Sequence, residues 1–253
     1  MNEDDLSVLD FDFDESDFES PLDKMEPVEA IEAQKPNSEA MLALLQSSET
    51  QQRMVAARAF SEIQDQRAIP YLIQMLNEVC PLARVSAAYA LGRNPSPEAV
   101  EPLIQQYNSD WNGYVRKGVV WALGNCRDRR SLASLTKALQ TDISAVRLWA
   151  ASGLAQIAKL DYEDIIKATP PLIISLRRDP IAAVRSNCAW AIGQLCRDLP
   201  SNVVYATAID ALIEALVEDE DVGVTEDARA ALLRLGDPRG LQMIEQLELE
   251  GII

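Results

Sequence analysis

Residues 184–193 read VRSNCAWAIG, and copies of this stretch recur along the chain. In chain order, the copies are QRMVAARAFS (52–61), ARVSAAYALG (83–92), VRKGVVWALG (115–124), VRLWAASGLA (146–155) and VTEDARAALL (224–233). The second residues of consecutive copies lie 31, 32, 31, 38 and 40 positions apart. A period of this length is typical of repeat proteins, in which each unit packs on its neighbours instead of around one central core.

A second apolar pattern lies between these copies. It reads RAIPYLIQML (67–76), EAVEPLIQQY (98–107), RSLASLTKAL (130–139), TPPLIISL (169–176) and AIDALIEAL (208–216). Its apolar residues have helical rather than alternating spacing, so each repeat contains two helices. Counted from SEAMLALL (38–45) to the final PRGLQMIEQLEL, the two patterns predict an all-α fold. The predicted architecture is an α-solenoid of about six helix pairs plus a terminal capping helix, over residues 38–253.

The two patterns together resemble HEAT repeats, particularly the shorter HEAT-like repeats of the phycobilisome-lyase type. The matching signature is D-x-R-a-x-p-x-L-i-x-x-L followed by V-R-x-x-A-A-x-A-L-G, and it covers about residues 38–250. The turns DQRAIP, DRRSL and DPRGL place Asp65, Asp128 and Asp237 at equivalent positions. This resemblance is specific for the fold but weak for the function, because such solenoids serve many roles.

Most of the negative charge lies at the start of the chain. The formal net charge is −17, and residues 1–37 contribute −11 of it, with 13 acidic and 2 basic side chains. This composition argues against a packed domain, so we predict a disordered acidic tail over residues 1–37. Because acidic segments with regularly placed apolar side chains often fold on a partner, Phe11, Phe13 and Phe18 are candidate contacts, to a partner or back to the solenoid. The alternative is a tail that only keeps the protein soluble.

The composition also argues against several classes of function. The chain has no histidine, which removes the commonest general base and the commonest metal ligand, so we predict a non-enzymatic protein without catalytic residues, metal site or cofactor. The negative charge makes nucleic acid an unsuitable ligand. Because no apolar run approaches the ~18 residues of a membrane span and the N-terminus is acidic, we expect a cytoplasmic protein.

Numbering each second helix from the first residue of its copy separates core from surface. Positions 1, 5, 8, 9 and 12 share one face, which places Cys188 at position 5 and Cys126 at position 12 in the core. A reduced cysteine behaves there as a small hydrophobic residue. Cys196, at position 13, and Cys80, in a loop, are the thiols that we expect to be accessible.

Position 2 is an arginine in five consecutive copies, and in three of them an aspartate precedes it by five or six residues. The resemblance to HEAT repeats implies that these residues form a structural ladder between adjacent inter-helix turns. The predicted ladder residues are Asp110, Arg116, Asp142, Arg147, Asp179 and Arg185.

Position 7 lies opposite the core on a helical wheel, yet it holds Tyr89, Trp121 and Trp190. In HEAT-like solenoids the second helices line the concave surface, so the resemblance implies a row of rings inside the curve. Aromatic residues ringed by amides and cations are typical of a partner-binding surface. The full candidate set is Tyr89, Arg93, Lys117, Trp121, Asn125, Trp149, Asn187, Trp190 and Gln194, with Trp111 and Tyr114 as an extension at its edge. The alternative is that the rings tuck against adjacent helices.

Three functions remain open. The first is a protein-binding scaffold or assembly chaperone. The chain, acidic leader included, is similar to stand-alone cyanobacterial HEAT-repeat proteins, some of which bind an A-type iron–sulfur carrier, and this resemblance implies such a partner. The second is a phycobilin lyase or bilin-detaching chaperone subunit acting on phycobiliproteins, as the short-repeat type implies. The third is a photosystem or phycobilisome assembly factor.

Overall fold

The structure is a computed structural model that describes residues 37–157 and 161–252. Within these ranges the chain forms thirteen α-helices and no β-strand, so the prediction of an all-α solenoid is confirmed. The helix pairs are α1 (Ser38–Leu45) with α2 (Thr50–Ala59), α3 (Ile69–Met75) with α4 (Pro81–Arg93), α5 (Pro97–Ser109) with α6 (Gly113–Cys126), α7 (Leu132–Thr141) with α8 (Ser144–Gln156), α9 (Tyr162–Arg178) with α10 (Ala182–Leu195), and α11 (Val203–Glu218) with α12 (Val222–Leu235). A final helix, α13 (Pro238–Leu249), follows the sixth pair as expected.

The predicted acidic tail lies outside the described residues except for Asn37, which caps α1. The candidate contacts Phe11, Phe13 and Phe18 therefore lie outside them as well. Among the described residues, no helix is both long enough and apolar enough to cross a membrane.

The recurring D-x-R turns cap the helices that follow them. Asp65, Asp128 and Asp237 each accept a hydrogen bond from the backbone N–H two residues later, at 3.0, 2.9 and 3.0 Å. The guanidinium group of that later residue also donates to the same carboxylate in all three turns. Because an aspartate at this position satisfies an otherwise unpaired N–H, the motif supports the start of the segments that lead into α3, α7 and α13.

The second helices pack closely on one another. Each contact along the row α2, α4, α6, α8, α10 and α12 is more extensive than any contact along the first-helix row from α3 to α11. Small residues permit this approach. If Gly124 of α6 carried a side chain, its Cβ would lie only 2.9 Å from the Cα of Gly153 in α8, which is too close for a normal contact. Each second helix is therefore buried on the side of its first helix and again on the sides of its neighbours.

The core positions expected from the repeat are buried in α10, whereas Cys126, expected in the core at position 12 of α6, is only half-buried. In α10 these are Val184, Cys188, Ala191, Ile192 and Leu195. Ala189 and Gly193, at positions 6 and 10, are also buried, because they face the neighbouring second helices. A helical wheel that considers only the packing of a second helix on its first helix does not predict the side that is buried against the neighbouring second helices.

The four cysteines are free, and three lie where burial suppresses their reactivity. Burial raises the pKa of Cys188 far above its usual value and that of the half-buried Cys126 to about 11. The expectation that Cys196 is accessible was wrong: the residue is fully buried, and burial raises its pKa to about 11. The helix α10 ends at Leu195, and the following 3-10 turn brings the thiol to 3.9 Å from the hydroxyl of Thr169. In the described residues no group of three histidine, cysteine or acidic side chains could hold a metal ion.

Candidate partner-binding surface

Two of the predicted aromatic residues meet on the surface of the second helices. The ring of Tyr89 on α4 lies 5.2 Å from the ring of Trp121 on α6, centroid to centroid, with the planes tilted by 46°. The guanidinium carbon of Arg93, one turn further along α4, lies 5.7 Å from the centroid of Trp121. The three side chains thus form a cation–aromatic cluster that spans two repeats.

The repeat sequence fixes the position of the Trp121 ring. A Cβ at Gly92 would lie 2.4 Å from Cζ3 of this ring and 3.0 Å from the Cα of Ala122, so the indole packs where a side chain would otherwise stand. Tyr89 and Trp121 are half-buried rather than opposite the core, because each second helix also packs on its neighbours. The structure therefore places position 7 at the border between core and surface, with one part of each ring exposed.

An open cleft of about 590 Å³ adjoins this cluster, between α2, α4 and α6. We call it the aromatic groove. Its apolar wall consists of Leu82, Val85, Tyr89 and Trp121, and its charged side chains are Arg58, Glu62 and Arg93. Leu82 is 60% exposed. The groove thus combines a partly exposed apolar wall with two arginines and one glutamate.

A second cleft, of about 580 Å³, lies on the other side of Trp121. Arg93 and Trp121 line both clefts, and Asn125 and Arg127 line only this one. The two clefts therefore share the Trp121 ring and the Arg93 guanidinium as a common wall. Of the predicted surface residues, Tyr89, Arg93, Trp121 and Asn125 come together here.

The remaining candidates form packing contacts instead. Trp149 on α8 and Trp190 on α10 are half-buried against the core. Asn187 donates a hydrogen bond to the backbone oxygen of Leu148, at 3.1 Å, and so links α10 to α8. With its side-chain amide turned to satisfy its neighbours, Gln194 accepts hydrogen bonds from Trp190 at 3.2 Å and from Arg234 at 3.1 Å. These four residues support the second-helix row rather than the groove.

Lys117, near the start of α6, is half-buried and lines neither cleft.

Trp111 and Tyr114 do not extend the groove. They are 77% and 75% exposed at the turn between α5 and α6, beside the arginine ladder. The carbonyl of Trp111 accepts a hydrogen bond from Arg116 at 3.0 Å, which ties this turn to the ladder.

The ladder arginines bind the aspartate of the following repeat. Each arginine donates two hydrogen bonds, 2.6 to 2.9 Å long, to both oxygens of one carboxylate. The pairs are Arg84 with Asp110, Arg116 with Asp142, Arg147 with Asp179, and Arg185 with Asp219. A third guanidinium nitrogen donates to a carbonyl in the arginine's own turn.

Sequence reasoning omitted Arg84 and Asp219 from the ladder. The signal for both was present: Arg84 occupies position 2 of its copy, and Asp219 lies six residues before Thr225, as Asp179 does before Arg185. Arg53 takes the same place in the first repeats but donates both hydrogen bonds to one oxygen, Oε1, of Glu78, so a glutamate replaces the aspartate there. Because both members of each rung are engaged with one another, the ladder has a structural role.

The family model for HEAT repeats matches residues 38–123, 100–168 and 169–249 of this chain. No curated protein matches the sequence at a significant level. A designed armadillo repeat protein is 22% identical, with a TM-score of 0.60 over 79% of this chain and 100% of its own. Another, solved in complex with the peptide (KR)4, is also 22% identical, with a TM-score of 0.62 over 77% of this chain and 98% of its own.

A further similar structure is the complex of CpcE and CpcF of phycocyanin lyase from Nostoc sp. PCC7120. It is 27% identical, with a TM-score of 0.54, and covers 66% of this chain and 99% of the matched chain. The designed proteins share the fold alone with this chain. The family matches extend over most of the solenoid, and they agree with the repeated helix pairs seen in the structure. The chain therefore belongs to the HEAT-repeat family, whose stacked helix pairs form a scaffold suited to protein binding.

Proposed function

We propose that this protein is a non-enzymatic scaffold that binds a partner protein in the aromatic groove. The cluster of Tyr89, Trp121 and Arg93 beside an open cleft carries the proposal. Aromatic residues and arginine dominate the binding energy of protein interfaces. The Trp121 ring is already fixed between Tyr89 and Gly92, so a partner would lose little free energy in ordering it.

The first candidate partner is an iron–sulfur carrier protein. The resemblance to stand-alone cyanobacterial HEAT-repeat proteins supports this choice. In this proposal the partner carries the cluster, and the solenoid contributes only a binding surface. A brown iron–sulfur species in the material co-purified from the native host would support it, and a colourless complex with a protein that binds no cluster would contradict it.

A second candidate function is the handling of a bilin or a phycobiliprotein, as a lyase subunit or as an assembly factor. The similarity to the CpcE–CpcF structure, at 27% identity over 66% of this chain, favours it. Bilins are acidic tetrapyrroles, and the rings and arginines of the groove suit such a molecule. Bilin absorbance in the co-purified material would favour this function over the first.

The proposed binding surface is tested by affinity purification of the tagged full chain from the native host, with quantitative mass spectrometry of the bound proteins. Arg93→Glu reverses a charge inside the groove, and Arg178→Glu reverses an exposed charge on the first-helix row as a matched control. We expect wild type and Arg178→Glu to capture the same partner equally and Arg93→Glu to capture at least about tenfold less, as for loss of a central arginine. Equal capture by all three chains would contradict the proposal.

A further inference from the structure

The two clefts beside Trp121 are basic, although the chain as a whole has a formal net charge of −17. Arg58 lines the aromatic groove, Arg127 lines the second cleft, and Arg93 lines both. Among the described residues that line either cleft, Glu62 is the one acidic side chain. Positive charge is therefore concentrated on both sides of the Trp121 ring.

These three arginines are available to an outside ligand. Arg58, Arg93 and Arg127 are all exposed, and in the part of the chain that the structure describes no carboxylate forms an ion pair with any of them. By contrast, each ladder arginine binds an acidic side chain of the following repeat. The guanidinium groups at the clefts can thus bind carboxylates of another molecule without breaking an internal ion pair.

Arg127 has a backbone conformation that favours glycine. It caps α6 with φ of 51° and ψ of 31°, and within the described chain it is the one residue other than glycine with a positive φ. The equivalent cap of α12 is Gly236, with φ of 65°, and each cap is followed by the aspartate of a D-x-R turn. Because glycine adopts this conformation without the strain that a side chain causes, the cap itself does not require an arginine.

The two clefts differ in the contacts that they offer to a bound chain. The aromatic groove has an apolar wall in which Leu82 is 60% exposed. The second cleft shares the Trp121 ring but adds polar side chains, Asn125 and Arg127 among them. Arg93 lies between the two clefts as part of their common wall. A segment that crosses the Trp121 ring would therefore contact apolar atoms on one side and guanidinium groups on both sides.

We propose that the partner binds these clefts through an acidic segment of its chain that also carries a large apolar side chain. The apolar side chain packs on Trp121 in the aromatic groove, and neighbouring carboxylates of the segment bind Arg93 and Arg127. This inference rests on the proposed function and adds the chemistry of the partner to it. Charges more than about 8 Å away are largely screened at physiological ionic strength, so the arginines of the clefts outweigh the distant acidic residues of the chain. A basic segment would be repelled by the same arginines.

Photo-cross-linking identifies the bound segment. The full chain carrying Leu82→p-benzoylphenylalanine is irradiated in the native host, and mass spectrometry identifies the cross-linked peptide of the partner. Ile174→p-benzoylphenylalanine is the matched control, because Ile174 is 56% exposed on α9, in the first-helix row. We expect a cross-link from position 82 alone, to a segment with net negative charge and a large apolar side chain.

A cross-linked segment that is neutral or basic would overturn this inference but leave binding in the groove, and thus the proposed function, standing. A partner that is captured intact and cross-links only from position 174 would overturn both.

Arg127→Gly separates a binding role from a structural one. Glycine relieves the backbone strain, so the melting temperature should stay unchanged or rise, whereas the affinity for the cross-linked partner, measured by calorimetry, should fall about tenfold with the lost charged hydrogen bonds. Arg178→Gln, an exposed arginine of the first-helix row, should keep wild-type affinity. Unchanged affinity of Arg127→Gly would overturn the role of Arg127, as would a loss of affinity that accompanies a fall in melting temperature. Capture that still depends on Arg93 in either case would leave the proposed function standing.

Discussion

At the scale of single residues, the same side chain has opposite roles at two positions of one helix. Arg84, at position 2 of its repeat, is 8% exposed and donates to both oxygens of Asp110, which is 1% exposed. Arg93, at position 11, is exposed and lies over the ring of Trp121. The surroundings decide the role: the first arginine neutralises a buried carboxylate, and the second presents a charge to the solvent beside an apolar groove.

The buried ion pair of Arg84 and Asp110 should contribute far more to the free energy of unfolding than an ion pair at the surface. Replacing Arg84 with alanine leaves the carboxylate of Asp110 buried without its counter-charge, and we expect the free energy of unfolding in urea to fall by about 3 kcal/mol. The matched control, Arg177→Ala, breaks a pair with Glu214 whose side chains are 35% and 46% exposed, and should cost less than about 1 kcal/mol. Equal losses for the two variants would show that the rung does not act as a buried pair.

The ladder should also make stability depend on pH. Burial alone would raise the pKa of Asp110, but hydrogen bonds from Arg84, the Asn112 N–H and Gln106 outweigh burial and hold this pKa below its usual value. The folded state therefore favours the ionised carboxylate, so the stabilisation is present above the unfolded pKa of about 3.9 and is lost as the pH falls below it. The stability difference between wild type and Asp110→Asn should shrink between about pH 5 and pH 3, measured by urea unfolding. A difference that stays constant over this range would contradict the assignment.

Burial predicts which thiols react. Cys188 and Cys196 are fully buried and have pKa values raised by burial, whereas Cys80 is half-buried in the turn before α4. Iodoacetamide at pH 8 should modify Cys80 first in the native protein, and Cys188 and Cys196 only in urea, as followed by peptide mapping. Modification of native Cys196 as fast as Cys80 would place that thiol at the surface.

At the scale of helices, the pairs and their core positions could be predicted from the sequence, because apolar spacing reports which side of a helix is buried. The sequence left the half-burial of Trp121 open, as the alternative that the rings tuck against adjacent helices, and it did not indicate the full burial of Cys196. The first depends on the approach of α6 to α4 across Gly92, and the second on the 3-10 turn that follows α10. Both arise from contacts between elements that a single helical wheel does not represent. The division of the aromatic candidates into a groove and a packing set has the same origin.

Two glycines of one helix should respond differently to alanine. A Cβ at Gly124 would lie 2.9 Å from the backbone of Gly153 in α8, which cannot move independently of its helix, so Gly124→Ala should destabilise the protein by about 1–3 kcal/mol. A Cβ at Gly118 would meet its nearest neighbour, Cβ of Ala88, at 3.4 Å, an ordinary contact. Gly118→Ala should leave the melting temperature unchanged or raise it, since alanine favours the helix. Similar destabilisation by both variants would refute the close packing of α6 on α8.

At the scale of the molecule, stacking of like units produces the groove. Neighbouring second helices bring Arg58, Tyr89 and Trp121 from three repeats to one cleft, although these residues are about thirty positions apart in sequence. Ladder pairs join the same three repeats: Arg53 with Glu78 links the first to the second, and Arg84 with Asp110 links the second to the third. We therefore attribute stability to the ladder and the inter-helix glycines, and we propose that the exposed parts of the rings and arginines bind the partner.

Hydroxyl-radical footprinting of the full chain, alone and with its captured partner, shows which aromatic side chains the partner covers. We predict that the partner lowers the oxidation of Tyr89 and Trp121, which line the groove, and leaves that of Trp111 and Tyr114, at the turn beside the ladder, unchanged. Protection of Trp111 and Tyr114 with unchanged oxidation of Tyr89 and Trp121 would contradict it and place the binding surface at the turns.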